Sequence, residues 1–151
     1  MQADICVWPV WGMNPRWAGW LMSLVAGEPR DQHVALSFED GTLLHMGEHG
    51  GSSRLVKYDS YVELFHFPSR RVGEFDLDPY AIAGAVGQRR STLMDEIIYT
   101  LFSKEKGRWW KILPMRRPTN CVTVAVGVLI NSGYDIDPDI YYPRELLEAT
   151  R

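Results

Sequence analysis

Thr119-Asn120-Cys121-Val122-Thr123-Val124-Ala125-Val126-Gly127-Val128-Leu129-Ile130-Asn131-Ser132-Gly133 is the stretch on which the reading of this chain turns. Pro118 breaks the backbone just before it, Asn120 can cap a first turn, and Gly133 can end a helix in the left-handed conformation. The apolar run between them predicts a buried helix that begins at Cys121. A cysteine in a first turn faces unpaired N–H groups and the positive end of the helix dipole, which favour thiolate over thiol. The remaining sequence then has to supply a base.

Composition sets the frame for that search. The chain has 151 residues, 46% hydrophobic and 23% charged, enough apolar content for a single globular domain over residues 1–151 with a real core. Six Trp, seven Tyr and five Phe suit either a dense core or a surface that grips a partner. The net charge of −3 argues against a dedicated nucleic-acid binder. Two cysteines, Cys6 and Cys121, are too few for a disulfide scaffold, although one bridge between them stays open. Asp4 stands where a secretory signal carries positive charge, and no apolar run is long enough to span a bilayer, so the expectation is a soluble, cytoplasmic protein.

Outward from the Cys121 helix, the order of elements reads as α+β, an antiparallel sheet packed against helices. Ile5 to Trp11 reads as a strand interrupted by Pro9, hence an edge strand. Asn14-Pro15 opens an amphipathic helix through Trp17, Trp20, Leu21, Leu24 and Val25. His33 to Phe38 alternates as a strand, Asp40-Gly41 signals a hairpin, and Thr42 to Met46 returns. A glycine-rich loop from Gly47 to Ser53, expected to be mobile, leads to strand candidates Leu55 to Tyr58 and Tyr61 to Phe67. Asp78-Pro79 opens a helix to about Arg90, and Met94 to Phe102 is helix or strand. Beyond Gly133, Pro143 to Glu148 forms a short closing helix.

Cysteine catalysis needs an imidazole within reach of the sulfur and a polar group to orient it. His33, at the start of a central strand, is the natural base. The orienting group depends on hairpin register, because one residue of slip moves every side chain to the other face. A two-residue loop would pair Glu39 with Thr42 and set Glu48 opposite His33. A three-residue loop with Gly41 left-handed pairs Phe38 with Thr42 and makes His33 and His45 diagonal neighbours, roughly 7–8 Å apart.

With His33, His45 on the return strand and Asn120-Cys121 at a helix start, the chain resembles the circularly permuted NlpC-type, papain-like cysteine enzymes. The likeness is closest to the lecithin:retinol acyltransferase-like branch or to a small bacterial or phage relative. The resemblance runs from Gln32 to Leu129 and is carried by three short pieces. It implies His33 as base, His45 as orienting group and Cys121 as nucleophile, working through a thioester on a peptide, amide or acyl substrate without a cofactor. Acyltransferase relatives follow Asn-Cys with Glu-His-Phe and carry a hydrophobic anchor, whereas Val122-Thr123-Val124 follows here, which points away from lipid acyl transfer.

Each of these residues also has a plain structural role. A cysteine opening an apolar helix is by default a core thiol, and His33 and His45 can serve as a cross-strand pair without chemistry. His33, His45, His49 and Glu48 together suggest a zinc set, but no spacing among them is specific and no metal is assigned. Trp109, Trp110 and Lys111 lie in a basic, aromatic segment suited to a weak surface contact, with a membrane face or a nucleic acid as the partner. The expectation is a thiol-dependent hydrolase or acyl-transfer enzyme using Cys121, His33 and His45, with Glu48 as the alternative third residue. The alternative is a non-catalytic binding or structural protein on the same fold, such as a phage or virion component.

Overall fold

The Asp40-Gly41 turn closes as a three-residue loop. Gly41 donates its N–H to the Phe38 carbonyl at 3.1 Å with φ at +83°, a conformation open to glycine at little cost. Asp40 fixes the turn by accepting from the Thr42 N–H at 3.0 Å and the Thr42 hydroxyl at 2.6 Å. Strands β2 (Gln32–Phe38) and β3 (Thr42–Met46) therefore pair as Ala35 with His45, Leu36 with Leu44 and Ser37 with Leu43. This is the bulged register rather than the plain two-residue one.

In this computed structural model, which describes residues 1–9, 24, 32–47, 51–57, 70–103 and 113–151, the hairpin lies within a five-stranded antiparallel sheet. The other strands are β1 (Gln2–Pro9), β4 (Ser53–Lys57) and β5 (Arg70–Asp76), in the order β4-β3-β2-β1-β5. β1 is thus an interior strand, flanked by β2 and β5, and not the edge strand that Pro9 suggests. Pro9 is the last residue of β1, so its missing N–H costs the ladder at most one terminal bond. The sequence pattern gave no sign of β5, whose Arg70-Arg71-Val72-Gly73-Glu74-Phe75-Asp76 lacks regular alternation. A bulge explains that: Gly73 and Glu74 together stand opposite Asp4, and the inside–outside order is broken there.

Four helices accompany the sheet among the described residues: α1 (Pro79–Ala85), α2 (Leu93–Phe102), α3 (Cys121–Asn131) and α4 (Pro143–Ala149). The helix expected to reach Arg90 stops at Ala85 because β4 captures the chain beyond it. Ser53 accepts from the Gly87 N–H at 2.9 Å, donates its own N–H to Gln88 at 2.9 Å, and its hydroxyl donates to the Ala85 carbonyl. The glycine-rich loop expected to be mobile is tied at its described ends, where Gly47 donates to Ser52 at 3.2 Å and Ser52 bridges to Arg89. Leu93–Phe102 is a helix rather than a strand, with Thr92 accepting from the Asp95 N–H at its start.

α3 is the central element. Seven of its eleven residues are buried, which requires neighbours on more than one side: β2 and β3 below, α1 and α4 beside it. Ile5, Val7, Val34, Leu36, Leu44 and Met46 form the sheet side of this core, and Val122 and Leu129 are wholly buried in it. Complete burial of a valine or leucine side chain contributes about 1.5–3 kcal/mol, so this interface dominates the stability of the described fold. The opposite sheet face is buried as well, at Cys6, Ala35 and Leu43. The expected Trp17–Val25 helix lies outside the described residues, save Leu24, which is helical and exposed. The Tyr61–Phe67 strand, Glu48, His49, Trp109, Trp110 and Lys111 also lie outside them.

Candidate functional site around Cys121

Asn120 caps α3 as its sequence position predicts. Its Oδ1 accepts from the Thr123 N–H at 2.9 Å, while the Thr123 hydroxyl accepts from the Asn120 N–H at 2.9 Å. Asn120 also donates through Nδ2 to the Tyr141 carbonyl at 3.4 Å, which ties the cap to the segment before α4. Gly133 ends the helix with φ at +92°. Cys121 is consequently the first helical residue, 8% exposed, and no disulfide joins it to Cys6.

The end of the β2–β3 ladder decides what the sulfur meets. Phe38 turns its carbonyl toward β3, and backbone groups alternate sides, so Leu36 and Val34 point the same way. Pairing stops at Ala35–His45, one rung before Val34 would face Met46. The Val34 N–H donates to the Cys121 sulfur instead. The Met46 carbonyl that it would otherwise have reached lies 3.1 Å from Nδ1 of His45. A carbonyl only accepts, so neutral His45 carries its proton on Nδ1 and keeps Nε2 as an acceptor.

His33 and His45 meet as the bulged register requires, with ring centroids 5.9 Å apart and planes at 74°. Alternation sets them, with Ala35, on the sheet face opposite Val34, Leu36 and Leu44. The Val34 N–H that reaches the sulfur thus sits at the notch where the ladder ends, while the imidazoles stand on the face opposite the Val34 side chain. Burial, aided by the charges of His45 and Arg90, lowers the His33 pKa to about 3. Burial, aided by Arg54 on β4, lowers that of His45 to about 4. Both rings are neutral at pH 7.

The thiol contrasts with the thiolate that a helix N-terminus alone would favour. Burial pushes the Cys121 pKa up, and this outweighs the Arg90 charge and the N–H groups of Val34 and Val122, which lower it. Glu96 adds to the upward push. At rest Cys121 is a protonated thiol, and the two imidazoles are neutral.

Three residues that sequence reasoning did not single out complete the surroundings. Arg90 and Glu96 form an ion pair at 3.5 Å, with side chains 15% and 2% exposed, and Arg90 also donates to the Gly47 carbonyl at 3.1 Å. Tyr141 is 3% exposed, and its hydroxyl has no hydrogen-bond partner. Burial and the Glu96 charge push its pKa upward. One signal was available, since a carboxylate inside the apolar Leu93–Phe102 run marks a buried, partnered charge. Arg90 was hidden in what read as a helix tail.

Among the described residues, no group of three or more His, Cys, Asp or Glu side chains is placed to hold a metal ion. None of their helices is long and apolar enough to cross a membrane. A cleft of about 320 Å³ between α1 and α3, lined by Asp78, Tyr80, Gln88 and Asn131 among others, does not include Cys121. No family model, no curated protein and no solved structure matches the chain.

Proposed function

We propose that this protein is a thiol-dependent hydrolase or acyl-transfer enzyme of permuted papain-like arrangement, acting on an amide, ester or thioester carbonyl. The observation that carries this reading is the notch at the end of the β2–β3 ladder. There the sulfur at the α3 N-terminus receives the N–H of Val34, the residue next to His33, and His33 meets His45 ring to ring.

In the proposed reaction the Cys121 thiol gives its proton to neutral His33 as the sulfur bonds to the carbonyl carbon. The oxyanion forms at the α3 N-terminus, where the Cys121 N–H is a donor that the Asn120–Thr123 cap does not use. Collapse breaks the bond to the leaving group, which takes the proton from His33 and leaves a thioester on Cys121. Water, or an acceptor nucleophile, then attacks that thioester with His33 again as base. His45, whose Nδ1 donates to Met46 and whose ring meets that of His33 edge to face, orients the base.

The test is hydrolysis of p-nitrophenyl and thioester substrates by the wild-type chain, Cys121→Ala and His33→Gln. Turnover that is lost in both variants supports the reading, and equal background rates in all three reject it. One observation favours a second reading, a non-catalytic binding or structural protein: Cys121 is buried and its pKa is raised rather than lowered. That reading expects no turnover and unchanged partner binding in Cys121→Ala.

A further inference from the structure

We propose that Arg90 is the positioning residue of the Cys121 site: clamped by Glu96 and the Gly47 carbonyl, it holds the end of β3 beside the Val34 notch and presents positive charge to the sulfur. The proposal rests on the reading above.

The early end of α1 is what delivers this side chain. Residues 87–90 leave the helix to run along the start of β4, where the Arg90 N–H donates to Gly51 at 2.8 Å. From there the guanidinium turns back to Gly47, which stands opposite His33 when the β2–β3 register is continued. Gly47 also directly follows Met46, the residue whose carbonyl fixes the His45 tautomer. One side chain thus braces the strand end that shapes the notch.

A buried ion pair of this kind is expensive to desolvate and is seldom kept for stability alone. Here the cation favours the charged form of Cys121 and the neutral form of His33, the state in which the imidazole can take a proton. Glu96 opposes it at the sulfur. The charged groups that act on the sulfur are Arg90 and, from α2, Glu96; Arg90 acts in turn on His33 of β2, and both act on Tyr141 ahead of α4. The two members of the ion pair should therefore move the thiol in opposite directions.

The experiment follows the rate of iodoacetamide alkylation at Cys121 against pH, with the labelled cysteine identified by peptide mass spectrometry. Glu96→Gln keeps the cation and removes the opposing charge, so the midpoint should fall by about one pH unit. Arg90→Gln/Glu96→Gln differs from it only at residue 90, and its midpoint should return to or above the wild-type value. Coincident midpoints for the two variants would overturn the proposal, as would a Cys121 inert to alkylation in every form. If the double variant does not fold by circular dichroism, Glu96→Gln decides, and an unchanged or higher midpoint rejects the idea. Alkylation reads the thiol and not turnover. Shifted midpoints without acyl transfer would therefore reject the function and leave Arg90 in place, whereas acyl transfer with unshifted midpoints would do the reverse.

Discussion

Lowering the pH from 7 to 5 should destabilise this protein through His33. Its folded pKa is about 3 against an ordinary 6.5, so the folded imidazole stays neutral across this interval while the unfolded one takes up a proton. The unfolded state binds more protons, and stability therefore falls as pH falls through 6.5, being fully present only above it. For one such histidine, protonation of the unfolded chain between these two pH values is worth about 2 kcal/mol. His45, lowered to about 4, acts in the same direction but more weakly, because water screens part of its ring. The expected total lies between about 2 and 4 kcal/mol. Urea titrations of the wild type and His33→Gln at pH 7 and pH 5 measure it directly. The variant should lose only the smaller share due to His45, with the urea slope m unchanged. If His33→Gln loses as much stability as the wild type, the ring is already solvated in the folded protein and the electrostatic account of the site fails.

Three further outcomes follow from the geometry. Asn120→Ala removes the α3 cap and its reciprocal bond with Thr123, and should cost about 1 kcal/mol in thermal or urea unfolding. Tyr141→Phe deletes a buried hydroxyl with no partner, so stability should hold or rise by about 1 kcal/mol; a clear loss would mean that the hydroxyl is satisfied in solution. Gly41→Ala forces a side chain into φ +83° and should destabilise the hairpin by about 1 kcal/mol, read as a lower urea midpoint.

What could be read from the residues was what local chemistry sets. The α3 boundaries were legible because Pro118, Asn120 and Gly133 each constrain the backbone within a residue or two. The Asp40-Gly41 hairpin was legible up to a choice of two registers, and the Thr42 bonds to Asp40 accompany the bulged one, which brings His33 to His45. Long-range pairing was not legible. β5 is polar and bulged, and it is a strand only because β1 offers it an edge. α1 stops early where Gly87 turns to φ +84° and Ser53, more than thirty residues before it, takes up the Ala85 carbonyl and the Gln88 N–H. The second event bears on the site, since it delivers Arg90 to it. Burial was the other unseen quantity, because the dipole of a first turn predicts an acidic thiol and the burial of Cys121 in the core predicts the opposite.

The central claim is that Cys121 is a nucleophile served by His33, and mass spectrometry of the chain mixed with an activated thioester tests it most directly. The account predicts one acyl adduct per chain, located on Cys121, absent in Cys121→Ala and formed far more slowly in His33→Gln. An adduct that forms equally on Cys6, or on Cys121 at the same rate without His33, would contradict it.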